Sequence, residues 1–343
     1  MALGNFILKV IIPLLLSITI TISSSNTICL LKPTITDGMR FYLYTKNKMT
    51  NVTMEEEYVQ RLPFVNNNRV SIFIHGYTAH YDDNYITIFR NAYLNGTADQ
   101  NIILVDYSSV TGNISQTNYG QLPMGYIKSV QCDLPKVAKQ ITNFIEMIRK
   151  VRSDLSDIHL IGHSLGAHIA FQVGKFYSQS TGRLLSRITA LDPAGPWFES
   201  SSKPNTPIAR FVDVVHTNVG ILGYTAPLGT VDYYINNGVV QTGCLGSVDQ
   251  KMALGCSHLS AVFYYAESIN NKRILAKSCY EIKDIVKDKK NLFVINGDNN
   301  NAISLTCDST SRSVSHTIVF GEHVPLDAVG VYFISIPKVP FYD

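Results

Sequence analysis

A serine stands between two glycines at the point where an apolar run meets a helical pattern. Residues 158–168 read Ile-His-Leu-Ile-Gly-His-Ser-Leu-Gly-Ala-His. This spacing, with Gly162 and Gly166 around Ser164, predicts a strand, a sharp turn and a helix, with the serine hydroxyl at the apex. A side chain at either glycine would clash with the neighbouring strand or helix. A bare G-x-S-x-G arises by chance in many chains, so the surrounding strand and helix make this one informative.

Further apolar runs and helical patterns alternate along the chain. The runs are rich in Ile, Val, Leu and Phe rather than strictly alternating with polar residues, which is typical of strands buried on both faces. The predicted strands are residues 70–75, 102–106, 157–162, 187–192 and 211–216. The predicted helices are residues 134–148, a segment that follows Ser164 at once and has apolar positions at residues 169–176, and residues 259–269. This alternation predicts an α/β fold, with a mostly parallel central sheet flanked by helices.

The first 25 residues have the composition of an export signal. Lys9 precedes an apolar run at residues 10–22, and three serines then offer a cleavage site. The run is shorter than the roughly 20 residues that cross a bilayer. We therefore expect a signal peptide over residues 1–25, a single domain over residues 26–343, secretion to the extracellular space and no transmembrane anchor.

Six cysteines, an even number in a chain expected to be exported, predict disulfide bonds. Two pairs are close enough in sequence to clip one loop each, and the remaining two cysteines then pair by elimination. The expected bonds are Cys244–Cys256, Cys279–Cys307 and, by elimination, Cys29–Cys132. The export signal also makes glycosylation sequons usable; they begin at Asn51, Asn95 and Asn113. The net charge of +3 gives no indication of a nucleic-acid partner.

A serine nucleophile needs a general base, and the base needs an acid that fixes its tautomer. After a strand–serine–helix turn, the partners follow in the order serine, acid, histidine. His258 fits this order, because it lies far downstream, just after Cys256 and at the start of a predicted helix. Three other histidines fit packing or structural roles better: His163, His168 and His216.

Three aspartates compete for the role of the acid. Asp192 ends a predicted strand and is followed by Pro193, which places its carboxylate at the edge where such sites form. Asp106 also ends a strand but precedes the serine, and Asp213 lies within a strand. Chain order favours Asp192, and the other two remain alternatives.

An oxyanion needs two hydrogen-bond donors, which are backbone N–H groups in sites of this type. One is the residue after the serine, Leu165. The other comes from the loop after an early strand, where His75-Gly76 makes Tyr77 the candidate. By itself, His75-Gly76 is equally consistent with an ordinary turn at a strand end.

Five segments of the chain together resemble the pancreatic-lipase superfamily of secreted lipases; they are residues 73–77, 161–168, 188–194, 212–217 and 256–258. Residues 228–238, followed by Gly243 and Cys244, are similar to the insect phospholipase A1 branch that includes wasp-venom enzymes. The likeness runs from about residue 41 to about residue 341. It implies an α/β-hydrolase fold in which Ser164, Asp192 and His258 are catalytic and the N–H groups of Tyr77 and Leu165 form the oxyanion hole.

The chain departs from the superfamily pattern in three places. We expect no C-terminal β-sandwich domain after about residue 341, and therefore no cofactor protein that docks on that domain. Residues 200–210 contain no Asp or Glu, so we expect no calcium there and no other metal or cofactor. The lid, residues 245–255, and the facing loop, residues 218–229, are both short, and the resemblance associates short loops with phospholipase A1 activity.

The expected function is therefore release of the sn-1 fatty acid from phospholipids at a membrane or aggregate surface. A triacylglycerol or general lipase is one alternative, distinguished in the sequence by loop length alone. A non-catalytic lipid-binding relative is a second alternative, but it would be expected to have lost one of the three catalytic residues.

Overall fold

Eleven strands form one sheet in the computed structural model, which describes residues 29, 34–112, 122–198, 206–244, 250–279, 282–285, 304–307 and 316–340. In chain order the strands are β1 (Arg40–Thr45), β2 (Lys48–Val52), β3 (Arg69–Ile74), β4 (Ile102–Asp106), β5 (Asp157–His163), β6 (Leu185–Leu191), β7 (Ala209–His216), β8 (Val231–Ile235), β9 (Leu275–Cys279), β10 (Ile282–Ile285), β11 (Ser304–Cys307), β12 (Thr317–Val319) and β13 (Gly330–Ile334). Strands β10 and β11 pair separately. The sheet order is β12-β9-β13-β8-β7-β6-β5-β3-β4-β1-β2.

The middle of the sheet is parallel from β4 to β13. Antiparallel strands extend it at both sides, β1 and β2 beyond β4, and β9 and β12 beyond β13. Parallel strands bring their carboxyl ends to one edge, so the residues that follow β3, β5, β6 and β7 meet there. This topology confirms the predicted α/β-hydrolase fold with a mostly parallel sheet.

Helices cover both faces of the sheet. They are α1 (Glu56–Gln60), α2 (Asn84–Leu94), α3 (Ser108–Thr111), α4 (Leu122–Lys128), α5 (Leu134–Val151), α6 (Leu165–Thr181) and α7 (Gln250–Asn270), with a π-helical turn at Ser129–Asp133 between α4 and α5. Helices α5 and α6 pack on one face, and α2 and α7 pack on the other. In β4, Ile103 and Val105 face the first pair of helices, while Ile102 and Leu104 face the second.

The sequence explains where α5 and α6 begin and end. Pro135 occupies the first turn of α5, where its missing N–H costs nothing. The apolar positions of α5 recur every three or four residues and are buried against the sheet. Helix α6 ends at Gly182, whose φ of 67° is a left-handed conformation that glycine adopts without strain.

The predicted strands agree with the observed ones to within two residues, but one predicted helix start is wrong. The helix expected at residues 259–269 begins at Gln250, so His258 lies well inside α7 rather than at its start. Its first turns contain few large apolar residues and one glycine, so they lack the periodicity by which a helix is identified in a sequence. The expected lid is therefore partly helical: residues 250–255 are the first turns of α7, and residues 245–249 lie outside the described residues.

Two sequence predictions concern the ends of the chain and the membrane. The expected signal peptide, residues 1–25, lies outside the described part of the chain. Among the helices that the structure describes, none has both the length and the apolar character needed to cross a bilayer.

Candidate active site

Ser164 occupies a strained turn between β5 and α6. Its φ of 56° and ψ of −120° lie outside the regions that non-glycine residues prefer. Both flanking glycines are required by close backbone approach: a Cβ on Gly162 would lie 2.3 Å from the carbonyl oxygen of Gly166, and a Cβ on Gly166 would lie 2.2 Å from that of Ile74. The glycine spacing therefore allows β3, β5 and α6 to meet beneath the serine.

Asp192 follows β6 and is fully buried, with a positive φ of 41°. Its Oδ1 accepts hydrogen bonds from the backbone N–H groups of Thr217, at 2.8 Å, and Asn218, at 3.0 Å. Its Oδ2 lies 2.5 Å from Nδ1 of His258. The carboxylate thus keeps the proton of the imidazole on Nδ1, which leaves Nε2 as the nitrogen that can act as a base.

Gly223 encloses the same carboxylate from the other side. A Cβ at this position would lie 2.5 Å from Oδ1 of Asp192 and 2.8 Å from its Cγ. The loop that starts at Asn218 therefore folds inwards onto the acid. Sequence reasoning did not single out Gly223, because nothing along the chain indicates that it contacts a residue 31 positions earlier.

His258 is held next to the serine turn by His163. The two rings are 4.7 Å apart, and Nε2 of His163 donates to the carbonyl oxygen of His258 at 3.2 Å. Burial, followed by the proximity of His258, lowers the pKa of His163 well below its usual value, so this ring is neutral. His163 was expected only to pack near the turn, and its contact with the candidate base was missed.

Ser164 Oγ makes no hydrogen bond to any residue that the structure describes, and neither does Nε2 of His258. Catalytic hydrogen bonds in substrate-free enzymes are often long and tighten only in the complex. The structure brings Ser164, Asp192 and His258 together, with the serine–histidine link left open.

The two candidate oxyanion donors flank the serine. Leu165 is the first residue of α6, where backbone N–H groups have no partner within the helix. Tyr77 follows β3, the neighbour of β5 in the sheet. The turn before it passes directly over the serine, since a Cβ on Gly76 would lie 3.2 Å from Cβ of Ser164.

The Tyr77 side chain forms a wall with α4. Its ring packs edge-on against Tyr126, with the centroids 5.2 Å apart. Gly125 makes room for it, because a Cβ there would lie 2.5 Å from the Tyr77 hydroxyl. Tyr126 in turn donates to the carbonyl oxygen of Pro196 at 3.1 Å, which ties α4 to the turn after Asp192. Burial, with a smaller contribution from the charge of a nearby aspartate, raises the pKa of Tyr77 to about 12.

The alternative acids have other partners. Asp213 accepts two hydrogen bonds from the guanidinium of Arg187, at 2.8 and 2.7 Å, deep in the sheet. Asp106 lies 3.4 Å from Nε2 of His75 and 3.3 Å from Nε2 of His80. Burial opposes ionisation of Asp106, but hydrogen bonds from His75 and Ser108 outweigh it and lower its pKa.

The other histidines of the sequence analysis are likewise engaged elsewhere. Nε2 of His168 donates to the carbonyl oxygen of Ala194 at 2.7 Å, and the ring stacks on Phe198. His216 lies 2.9 Å from Asp232, with its other ring nitrogen 3.0 Å from the carbonyl oxygen of Tyr224. Both are structural contacts.

The structure also places the expected disulfides and sequons. The cysteines of each expected pair are bonded, with Cα–Cα distances of 5.4 Å for Cys29–Cys132, 5.7 Å for Cys244–Cys256 and 5.6 Å for Cys279–Cys307. Asn51 and Asn95 are exposed, and Asn113 lies outside the described residues. So do residues 200–205 of the acid-free stretch. No group of three potential metal ligands occurs among the residues that the structure describes.

Comparison with known proteins identifies the family of the chain. The family described as Lipase matches residues 20–300. Phospholipase A1 of Polybia paulista is 31% identical over 241 residues, which cover 68% of this chain and 72% of that relative. Lipase member H of Danio rerio is 36% identical over 191 residues (54% and 39%), and phospholipase A1 member A of Rattus norvegicus is 35% identical over 205 residues (58% and 41%). The matches thus span about half or less of the two vertebrate relatives.

Solved structures similar to this one include Est1E from Butyrivibrio proteoclasticus, at 15% identity and a TM-score of 0.29, covering 47% of this chain and 49% of that one. An esterase from Pyrococcus furiosus is 12% identical with a TM-score of 0.30, covering 46% and 65%. These scores are low, and the assignment of the fold depends on the sheet topology described above. The family model matches most of the chain, and the wasp relative is 31% identical to it. The chain therefore belongs to the lipase family, a family of carboxylic ester hydrolases.

Proposed function

We propose that the protein is a secreted serine ester hydrolase that releases the sn-1 fatty acid from phospholipids. The observation that carries the proposal is the buried Asp192–His258 pair beside the strained Ser164. The disulfide-bonded cysteines and the extracellular character expected from the sequence support secretion.

The geometry supports an acyl-enzyme mechanism. The hydroxyl oxygen of Ser164 attacks the ester carbonyl carbon while its proton passes to Nε2 of His258. Asp192 stabilises the resulting imidazolium, and the N–H groups of Tyr77 and Leu165 receive the oxyanion. Collapse of the tetrahedral intermediate expels the lysophospholipid, whose oxygen takes the proton from His258. Water then attacks the acyl-serine by the same route and frees the fatty acid.

Exposed apolar side chains around the serine support a lipid surface as the partner. Met124, Trp197 and Leu222 come from three separate segments and are 36 to 50% exposed. Hydrogen bonds join these segments around the site, from Tyr126 to Pro196 and from the N–H of Gly195 to the carbonyl of Leu222. Such a rim can insert between lipid headgroups, where tryptophan is favoured.

Two features support phospholipid rather than triacylglycerol as the substrate. Helix α7 begins at Gln250, so only five residues, 245–249, separate it from Cys244. The facing loop contacts Asp192 through Asn218 and Gly223. Because it folds inwards onto the acid, it cannot also extend outwards as an apolar wall beside the site. Each buried methylene contributes roughly 0.8 kcal/mol, so shortening both walls reduces the selection for a third acyl chain over a phosphate headgroup. The named activity of the Polybia paulista relative points the same way.

The test is positional analysis of the fatty acids released from mixed-chain phosphatidylcholine, beside a matched dispersion of triolein and with Ser164→Ala as the inactive control. We expect faster release from phosphatidylcholine, mainly from sn-1, and no change of rate on adding a calcium chelator. Faster hydrolysis of triolein would favour the general lipase. Release mainly from sn-2 would contradict the proposal, and loss of activity on chelation that calcium alone restores would reveal a metal site.

Binding to a lipid surface can be tested without a mutation, because Trp197 is the chain's only tryptophan. Vesicles of phosphatidylcholine should shift its fluorescence to shorter wavelength, and a quencher attached to the acyl chains should reduce it. Ser164→Ala should respond in the same way, since binding does not require turnover. A spectrum that vesicles leave unchanged would show that this rim does not enter the lipid.

A further inference from the structure

Buried rings surround the turn that leads to Tyr77. The hydroxyl of Tyr107 donates to the carbonyl oxygen of His75 at 2.6 Å. The phenol of Tyr85 is buried near the backbone N–H of Gly76, which partly offsets the effect of burial on the pKa of Tyr85. Nδ1 of His75 lies 2.8 Å from the carbonyl oxygen of Gly76. The carbonyl oxygens of His75 and Gly76 therefore both have fixed partners in this turn.

The orientation of the His75 ring follows from these contacts. Nδ1 faces a carbonyl oxygen, which can only accept, so Nδ1 carries a proton. Nε2 lies 3.3 Å from the backbone N–H of Tyr107 and 3.4 Å from Oδ1 of Asp106. These contacts hold the second ring nitrogen in place while Nδ1 faces Gly76. The ring is fully buried and stacks on Tyr107, with centroids 4.1 Å apart and planes 4° apart.

The hydrogen bond from Nδ1 of His75 to the carbonyl oxygen of Gly76 also constrains the next residue, Tyr77. The carbonyl of Gly76 and the N–H of Tyr77 belong to one planar trans peptide, in which the two groups point in opposite directions. Fixing the carbonyl towards His75 therefore fixes where the Tyr77 N–H points. A second bond to the same carbonyl, from the N–H of Ala79 at 3.3 Å, holds the peptide in the same sense.

We propose that His75 is a positioning residue for the oxyanion hole, acting through the Gly76–Tyr77 peptide, with Tyr107 and Tyr85 holding the ring and the turn in place. The inference builds on the proposed acyl transfer at Ser164. His75 touches neither the substrate nor the serine hydroxyl. Its contribution is to aim one N–H before the reaction begins, which is the preorganisation on which such holes depend.

The experiment compares His75→Ala, His75→Asn and His75→Gln. The amide nitrogen of asparagine can replace Nδ1 as the donor to Gly76, whereas that of glutamine reaches towards the position of Nε2. Loss of one oxyanion donor typically costs about 10²- to 10³-fold in kcat. We expect His75→Ala to lower kcat about 10²-fold with KM within twofold, His75→Asn to recover about tenfold of that loss, and His75→Gln to recover none. His159→Asn, at a buried histidine near the amino end of the neighbouring strand β5, should leave kcat near wild type.

A boronic acid that adds to the serine and places an oxygen in the hole gives an independent readout. Its affinity should fall in His75→Ala by about the same factor as kcat. Equal rates for the Asn and Gln variants, or an unchanged boronate affinity in His75→Ala, would overturn the inference. If His75→Ala does not fold, Tyr107→Phe removes only the hydroxyl and should weaken the boronate about fivefold, while unchanged binding would overturn the inference. Activity retained by Ser164→Ala would refute the proposed function instead, whatever the His75 variants show.

Discussion

Two of the histidine–aspartate pairs at the carboxyl edge of the sheet resemble each other closely, and only one of the two adjoins Ser164. His258 lies 2.5 Å from Asp192, and His216 lies 2.9 Å from Asp232. Both aspartates are buried, and each accepts two backbone N–H groups as well. By residue type and distance the two pairs are nearly equivalent.

They differ in what the second ring nitrogen does. In His216 both nitrogens are engaged, one by Asp232 and the other by the carbonyl of Tyr224. The ring is wholly buried and stacks on Tyr234 at 4.3 Å. His258 keeps Nε2 without a hydrogen-bond partner among the described residues, and 12% of its side chain is exposed. A general base must have one nitrogen available to the reacting proton, so availability distinguishes the two pairs.

The largest expected difference comes from removing the two imidazoles in turn. His258→Ala should lower kcat by about 10⁶-fold, as loss of the base does in other serine hydrolases. His216→Ala should leave kcat per folded molecule near wild type but lower the free energy of unfolding by about 3 to 5 kcal/mol, because it leaves a buried carboxylate unpaired. Kinetics on active-site-titrated protein and denaturant unfolding provide the two measurements. Similar losses of kcat in both variants would contradict the assignment of His258, rather than His216, as the general base.

Replacing the acids gives the next largest effect. Asp192→Asn should lower kcat about 10⁴-fold, because an amide no longer holds the proton on Nδ1 of His258. Asp232→Asn should again affect stability rather than rate. The measurement is kcat for ester hydrolysis from pH 6 to 9. A kcat for Asp192→Asn within tenfold of wild type would contradict the role of Asp192 as the acid and favour Asp106 or Asp213 instead.

His168 extends the comparison to a buried histidine that has no carboxylate partner among the residues that the structure describes. Burial lowers its pKa from 6.5 to about 4, against a smaller opposing effect of the hydrogen bond to Ala194. Between these values the unfolded chain binds more protons than the folded one, so stability falls as pH falls from about 6.5 to 4. At 1.36 kcal/mol per pH unit the loss approaches about 3 kcal/mol.

Denaturant unfolding of the wild type and His168→Gln at pH 7 and pH 4.5 measures this contribution. Glutamine keeps a donor for Ala194 but does not titrate in this range. The fall in stability between the two pH values should be smaller in the variant by about 2 to 3 kcal/mol. An identical fall would assign the acid sensitivity to other groups, such as His159 and His163, whose pKa values burial also lowers.

The smallest expected effect is on the position of the acid. Gly223→Ala places a methyl group 2.5 Å from Oδ1 of Asp192, which should displace the carboxylate and lower kcat about tenfold, equivalent to roughly 1.4 kcal/mol of barrier. Gly255→Ala is the matched control, because a Cβ there meets no atom of the described residues within 4 Å, and should leave kcat unchanged. Equal rates for the two variants would show that the loop yields without moving the acid.

The sequence itself determined the elements that depend on local order. Apolar runs gave the parallel strands, because each is buried on both faces. The glycines around Ser164 and the order serine, aspartate, histidine identified the three residues that the structure brings together, because this turn and chain order are properties of the covalent chain. The start of α7 was missed, because the sequence of its first turns lacks the apolar periodicity by which a helix is identified.

Only the tertiary structure decided which residues support that site. His216 and His258 cannot be told apart by residue type, since the difference is the carbonyl of Tyr224 occupying one ring nitrogen. Gly223 became important only because the loop at residue 218 returns onto Asp192. His75, Tyr85 and Tyr107 converge on one turn from three separate segments. Contacts of this kind depend on packing between distant parts of the chain, which residue spacing does not encode.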